Sequence, residues 1–351
     1  MMEAKWPLVG ILSGFHPQKQ FSGDDHFFRA IASELSNQNG SAFVFTPNGI
    51  KEETIEGFFL HDETWEKNVF PYPDLVYNRL PSRKSENTKK MKQFFNKLCA
   101  RSIPWFNTRF LHKWEMYHLL LNNKAIRPHL PETILLTDTS TALNFLQKHS
   151  FLYAKPVSGR TGSGIFTLNQ TALNKYKITF HEKERIVTDV QLSSLFSHLL
   201  LKGYDYILQQ GILLNELEEK KYDFRILLQK PLDKWELTGI GVRAAQKGGI
   251  TTHVPKGGSI LTLSEISPPV DSEMIMMLGK EAVKSIETSY TEFRECSIDI
   301  GRDTQGKYWI FELNTKPMVF DEVRIEEKRI KTLVEIFKNR SVKENLPIGK
   351  P

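Results

Sequence analysis

The sequence predicts an α+β protein, a small α/β lobe followed by a larger region of paired strands, on three observations. First, strand, helix and strand succeed one another at the start. Leu8-Val-Gly-Ile-Leu12 is followed by a helical period through Phe27, Phe28, Ile31 and Leu35 to a stop at Gly40, then by Ala42-Phe-Val-Phe-Thr46. That order suits a right-handed parallel unit. Second, residues 151–168 read as a strand, a glycine-rich loop and a strand. Third, residues 296–300 and 308–314 read as two strands joined by a polar turn.

Composition bounds the function. At 351 residues the chain is long for one core and reads as two or three packed lobes. With 40% hydrophobic and 25% charged residues it is an ordinary soluble sequence, not a disordered one. The net charge of +6 favours phosphate-bearing ligands only weakly. Its longest basic cluster, Lys89-Lys-Met-Lys92, lies in a helical pattern over 85–101 whose apolar stripe holds Met91, Phe94, Phe95 and Leu98. That is a solvated helix face, and nucleic acid is not expected as a partner. Cys99 and Cys296 lie far apart in apolar patterns, which suggests neither a disulfide framework nor a Cys-based zinc site and fits a reducing compartment. No apolar run fits a signal peptide or a membrane span, so a cytoplasmic protein without a membrane partner is expected.

The C-terminal strand pair carries the first chemical signal. Strict alternation would set Trp309, Phe311 and Leu313 on one face and Ile310, Glu312 and Asn314 on the other, with Asp299 out of phase with Cys296, Ile298 and Ile300. Two carboxylates and an amide oxygen in an apolar hairpin are costly to bury unless a positive group holds them. Oxygen-only ligands suit Mg²⁺, which takes one or two carboxylates together with nucleotide phosphates. The simpler alternative is a surface hairpin with solvated acids.

The second signal is Lys155-Pro-Val-Ser-Gly-Arg-Thr-Gly-Ser-Gly164, at the end of an apolar strand. Glycines let backbone N–H groups approach phosphate oxygens, and Lys155 adds a compact cation. The spacing matches neither the Walker A nor the dinucleotide fingerprint, and a strand follows where both need a helix. A hairpin without a ligand is the alternative.

The remaining segments fall around these two. Gly10, Ser13 and Gly14 could approach a ligand at a strand end, though a tight turn is the simpler reading; residues 74–78 are read as a strand and Arg83 as a first-lobe surface residue, with that lobe closing near Asn107. A helix over 110–121 carries Lys113 near its start; a strand at 133–136, a helix at 139–149 and a polar helix-like stretch over 169–203 follow. Residues 204–210 form a strand ending in Gln209 and Gln210. In 222–228, Asp223 and Arg225 point away from Phe224 and Ile226, and a strand over 235–243 delivers Arg243. Two arginines on one sheet suit an anionic substrate or a transferring phosphoryl group. Either could equally be a structural ion pair, for example Arg225 with Asp223. The loop 247–258 is rich in Gly and Thr and contains His253 and Lys256; among ten histidines none has metal-ligand spacing.

In this order, a helix Lys, a strand Lys before a glycine-rich loop, a strand ending in Gln, Asp-x-Arg, and Asp with Glu-x-Asn on paired strands, the chain resembles the ATP-grasp superfamily. Within it the sequence is similar to the YheC/YheD group of bacilli, known as endospore coat-associated proteins. The resemblance implies an α/β pre-ATP-grasp domain over 1–107 and an ATP-grasp domain over 108–340, with a first lobe and a nucleotide-covering lobe over about 108–208 and a metal-binding lobe over about 209–340, then a tail over 341–351. It implies that Lys113 and Lys155 contact nucleotide phosphates under the loop Ser158, Gly159, Arg160, Thr161, Gly162, Ser163 and Gly164. Gln209 and Gln210 would lie at the adenine. Asp299, Glu312 and Asn314 would bind Mg²⁺, with Mn²⁺ as a substitute, and Arg225 and Arg243 would be the catalytic pair steadying phosphate or substrate carboxylate. Two departures stand out: Gln210-Gly211 where many relatives place an acid for the ribose, and Met318 after Asn314-Thr-Lys-Pro317 where many have Gly.

The implied activity is that of an ATP-dependent ligase that activates a carboxylate as an acyl phosphate for attack by an amine or similar nucleophile. The resemblance also implies a role in spore formation, spore association and coat proteins as partners. The alternatives on the same scaffold are an ATP-dependent phosphotransferase and a coat or scaffold protein without turnover.

Overall fold

Among the described residues, runs of β-branched and aromatic residues pair into three sheets of six strands each. The computed structural model describes residues 7–159, 163–180, 183–252, 257–290 and 292–341. The first sheet is built from β1 (Leu8–Leu12), α1 (Asp25–Asn37), β2 (Ser41–Ile50), β3 (Thr54–His61), β4 (Thr64–Pro71), β5 (Leu75–Asn78), α2 (Arg83–Glu86), α3 (Lys89–Ala100) and β6 (Trp105–Phe106). Central β1 pairs in parallel with β2 and β5, as the strand–helix–strand pattern predicts. The hairpin of β3 and β4 turns on Asp62 and Glu63, both with positive φ, 43° and 63°. The expected helix over 85–101 is broken, because Thr88 leaves the helical region and caps α3 by accepting from the Met91 N–H at 3.3 Å.

After α4 (Lys113–Leu121) the second sheet uses β7 (Thr133–Leu135), α5 (Thr139–His149), β8 (Phe151–Pro156), β9 (Phe166–Ala172), β10 (Lys175–Phe180), β11 (Lys183–Thr188), α6 (Asp189–Leu201) and β12 (Tyr206–Gln210). It is antiparallel throughout, in the order β11-β10-β9-β8-β12-β7. The stretch 169–203 is therefore mostly not helical. Asn174, at φ 57°, turns the chain from β9 into a hairpin that buries Tyr176, and only α6 keeps the helical form.

The third sheet contains β13 (Glu216–Leu217), β14 (Lys220–Gln229), β15 (Glu236–Ala244), β16 (Ser259–Leu261), α7 (Ser272–Glu287), β17 (Glu295–Arg302) and β18 (Tyr308–Asn314), in the order β16-β15-β14-β17-β18 with β13 on β14. Its core side packs Phe224, Ile226, Ile298 and Ile300 against α7 residues such as Leu278 and Ala282. The expected strict alternation of β18 fails at a bulge. Asp299 faces Glu312 while Ile300 faces Ile310, leaving Phe311 as the extra residue. Ile310 and Leu313 consequently share the core, and Phe311 turns to the cleft with Glu312.

The last helix, α8 (Val323–Ser341), returns to the first sheet, where Leu333, Val334, Ile336 and Phe337 join Val9, Ile11 and Tyr77 in one core. Buried polar groups run beside it. Glu295 of β17 accepts from Arg329 Nε at 3.0 Å, from Asn107 Nδ2 at 3.1 Å and from the Tyr77 hydroxyl, and Arg79 stands 3.5 Å away. Burial alone would raise the Glu295 carboxyl, but Arg329 and Arg79 hold it below its ordinary range. The first and third sheets are clamped together by this cluster.

Candidate active site

Three cavities run along the cleft-facing side of the third sheet. One of about 150 Å³ lies between the second and third sheets, with Tyr153, Lys155 and Gln209 on one wall and Asp223, Asp299 and Glu312 on the other. A second, also about 150 Å³, lies under the loop after β8 and includes Lys113, Ser158, Ser163, Asp299, Glu312 and Asn314. The third, about 450 Å³, opens between the first and third sheets beside Arg79, Arg225, Arg243, Lys316 and Glu322. Asp299 and Glu312 line the first two, Arg225 and Lys316 the second and third, and Arg243 the first and third. The cavities thus share walls along one face of the third sheet.

Strand pairing positions the charged groups. Asp223 and Arg225 project from the side of β14 opposite Phe224 and Ile226, with Arg243 across from Asp223 on β15 and Asp299 across from Arg225 on β17. Arg243 pairs with Asp223 at 2.9 Å and with Asp299 at 3.1 Å. Of the two expected arginines, then, Arg243 is held by carboxylates. The Nε of Arg225 is buried without a hydrogen-bond partner among the described residues, and its guanidinium lies 5.2 Å from the Phe320 ring centroid. Burial lowers the Arg225 pKa, whereas for Arg243 the effect of burial is outweighed by Asp223 and Asp299, which raise it. Burial raises the Asp223 carboxyl in spite of Arg243. For Asp299 burial is overcome by Arg243 and Arg225, which hold it below the ordinary carboxylate range.

Across the first cavity, Lys155 at the end of β8 donates to Gln209 Oε1 at 2.6 Å, and Gln209 donates to Thr133 Oγ1 at 3.1 Å. Burial pushes Lys155 down to about 8, against the opposing pull of Glu312. Lys113, the first residue of α4, is ion-paired with Glu312. In the glycine-rich loop, Gly164 has φ +74°, and a Cβ there would stand 2.8 Å from Pro156 Cγ, so glycine lets the loop fold against the end of β8. Tyr206 holds the turn by donating to the Gly164 carbonyl at 3.1 Å. Arg160, Thr161 and Gly162, like His253 and Lys256, lie outside the described residues.

Asp299, Glu312 and Asn314 come together as a set of oxygen donors. Asp299 Oδ1 is buried, with the Arg243 guanidinium 3.1 Å away as its ion-pair partner. Asp299 and Glu312 are register partners, and Asn314 lies two residues beyond Glu312 on β18. Such a donor set fits Mg²⁺ or Mn²⁺. Gln210 lines the first cavity, and the Gly after it has a steric reason: a Cβ on Gly211 would stand 2.1 Å from the Phe151 ring. A side chain at that position must displace the Phe151 ring. Met318 lines both the second and the third cavity.

Some residues escaped the sequence reading. Arg83 is not on a free surface; it lines the second cavity and donates to the Phe110 carbonyl at 3.2 Å and to Ser158 Oγ at 3.4 Å. Lys316 is buried in an ion pair with Glu86, and nothing in the sequence marks either as a partner of the other. Asp223 was visible as the companion of Arg225, but its actual partner is Arg243.

This arrangement, an antiparallel cap carrying Lys155 closing over a sheet that carries Asp299 and Glu312, is the ATP-grasp fold. Its overall shape is matched by the D-alanyl-alanine synthetase A of Vibrio cholerae O1, 12% identical, with a TM-score of 0.60 over 97% of this chain and 100% of that one. The ATP-grasp ligase PsnB, in a complex with minimal precursor, Mg and ADP, matches at 14% identity and a TM-score of 0.54 over 95% of this chain and 98% of its own. Residues 102–339 match the model of the YheC/D-like ATP-grasp family, and the chain belongs to that family. The endospore coat-associated protein YheD of Bacillus subtilis (strain 168) is 32% identical over 329 residues, 89% of this chain and 72% of that protein. Among the described residues, no helix is long and apolar enough to cross a membrane.

Proposed function

We propose that the protein is an ATP-dependent ligase that activates a carboxylate as an acyl phosphate. The observation that carries this reading is the sharing of residues between cavities. Arg225 lines both the loop-covered cavity and the larger one beyond it, so an anion in one lies within reach of a group in the other.

In this reading Tyr153, Gln209 and Gln210 border the base of ATP, and Lys155 and Lys113 neutralise its phosphates beneath Ser158, Gly159, Ser163 and Gly164. Asp299, Glu312 and Asn314 would hold Mg²⁺, which supplies neutralisation of the phosphate charge that develops during transfer. Arg225 and Arg243 orient the carboxylate substrate towards the γ-phosphate from the larger cavity. A carboxylate oxygen forms a bond to the γ-phosphorus as the β,γ-bridging bond breaks and ADP leaves. The nucleophile then bonds to the acyl carbon, and inorganic phosphate departs with the electrons of the C–O bond. The chain supplies orientation and charge rather than a covalent nucleophile.

We assign residues 1–107 to the pre-ATP-grasp domain and 108–340 to the ATP-grasp domain, with α8 bridging the two. The coat-associated name of the YheD relative supports a role in spore formation. The test is ADP release against the carboxylates of a fractionated cell extract, with hydroxylamine trapping the acyl phosphate as a hydroxamate. A stable phosphorylated product without phosphate release identifies a phosphotransferase instead, and no turnover with any fraction identifies a scaffold.

A further inference from the structure

Charge is distributed unevenly in the 450 Å³ cavity. Among the described residues four cations line it, and three of them are engaged. Arg243 is held by Asp223 and Asp299, Lys316 by Glu86, and Arg79 by the Pro317 carbonyl at 2.8 Å with Glu295 at 3.5 Å. Arg225 differs, because its Nε is buried without a hydrogen-bond partner among the described residues. The acids that line the cavity are Asp24, Asp321 and Glu322, and the first two are exposed, so negative charge gathers towards solvent. The apolar wall includes Pro81, Phe110, Val319 and Met318, of which Met318 is the most open at 42% exposure. Its backbone is fixed, with the Met318 carbonyl accepting from Arg329 at 3.3 Å and the Pro317 carbonyl from Arg79 and from Arg329 at 3.2 Å. An unbranched, adaptable side chain left open on a rigid backbone offers contact to an apolar ligand.

We propose that the acid activated here is a monocarboxylic acid with an apolar body, aryl-alkyl or branched-alkyl, and that Met318 selects it. The inference rests on the ligase reading above and names the class of its carboxylate substrate. The carboxylate lies at Arg225 and the carbon chain along Met318 and Phe110, residues that all line both the large cavity and the loop-covered one. The reactive end therefore sits where the two cavities share a wall. A dicarboxylate of similar length would bring its far carboxylate beside Asp321 and Glu322, where like charges repel, and would leave the apolar wall uncovered. The same chemistry is found in free apolar acids and in the C-terminus of a peptide that ends in an apolar residue.

The experiment uses the full chain with MgATP and hydroxylamine, and each acid is read as its hydroxamate by mass spectrometry. The hydroxylamine nitrogen bonds to the acyl carbon, phosphate leaves with the electrons of the C–O bond, and the nitrogen proton passes to solvent. Phenylpropionate and isocaproate stand for free acids, N-acetylphenylalanine and N-acetylleucine for peptide ends, and adipate, glutarate and citrate for polar polyacids. At least one apolar pair should exceed every polyacid about tenfold or more in kcat/KM, and the pair that does so tells free acids from peptide ends. Met318→Lys, which sets a cation against the chain, should raise adipate and lower the apolar acids, reversing the ratio. Met318→Gln, which keeps the length without the apolar character, should narrow the ratio about tenfold. Because these are ratios within one protein sample, a loss of folded fraction does not move them. The proposal is overturned if a polyacid is used as well as the apolar acids, if both variants keep the wild-type ratio, or if an extract fraction yields hydroxamate while no apolar acid of the panel does. A wild type that makes no hydroxamate with any acid or fraction sinks the ligase reading itself, and this proposal with it.

Discussion

Lys113 at the start of α4 is ion-paired with Glu312 of β18, 199 residues further along the chain. A cation in the first turn faces the positive end of the helix dipole, so the helix does not favour it there; the carboxylate does. Nucleotide phosphates in the cavity would take over the lysine and leave Glu312 for a cation. Glu312→Gln keeps the size and hydrogen bonding but removes the charge. Turnover should fall on the order of 10²-fold or more, and nucleotide binding should lose its dependence on magnesium, as read by calorimetry with and without the metal. Full activity with unchanged magnesium dependence would remove the metal assignment.

The two arginines should behave differently. Arg243 is held between Asp223 and Asp299, and its removal strands two buried carboxylates. Arg243→Ala should therefore cost about 3–5 kcal/mol of stability, which makes its loss of activity uninformative. Arg225→Met removes a buried cation whose Nε has no hydrogen-bond partner among the described residues, although it also takes away one of the two arginines that hold Asp299 charged. It should cost the ligand-free protein less stability than Arg243→Ala, while turnover drops on the order of 10²-fold. Denaturant melts paired with ADP release distinguish the two.

Lys155 sets a pH dependence whose sign is fixed by burial. Its pKa falls from 10.5 to about 8 on folding. Between those values the unfolded chain keeps the proton and the folded one does not, so this group makes stability rise with pH across that window. Its contribution is fully present above 10.5 and is lost as pH falls towards 8. Affinity for ATP runs the other way, weakening as pH rises through about 8 and Lys155 loses its charge. Lys155→Met should raise the melting temperature at neutral pH, with the gain vanishing by pH 10.5, and should abolish nucleotide binding.

Arg83→Ala tests whether the first sheet helps to shape the nucleotide site. By losing its bonds to Ser158 and to the Phe110 carbonyl, the variant should leave the loop less ordered. The KM for ATP should rise about fivefold to tenfold, from about 1 kcal/mol of lost hydrogen bonding, with the melting temperature little changed. An unaltered KM would return Arg83 to the surface role that its sequence position suggested.

What the sequence made legible follows local rules. Lys155 and Gln209 sit at the ends of apolar strands and Asp223 alternates with Phe224, so their placement on a cleft could be read from periodicity. The phase of β18 could not, because a bulge adds Phe311 without any glycine to announce it. The β3 and β4 hairpin was equally hidden, since its positive-φ turn is made by Asp62 and Glu63 rather than by the usual Asn-Gly. Lys316 and Arg83 gain their meaning only from residues far away in the chain, Glu86 and Ser158. Pairings of that kind depend on how whole sheets dock.

The return of α8 to the first sheet has a consequence for biosynthesis. Val9, Ile11 and Tyr77 are made long before the apolar stripe at residues 333–337 that packs against them. The buried carboxylate of Glu295 likewise waits for Arg329. Domains commonly fold in the order of their synthesis; here α1 covers part of the first sheet early, and the rest of that core is completed only when α8 has been made. A nascent chain stalled before α8 would leave part of that apolar face uncovered and open to proteases.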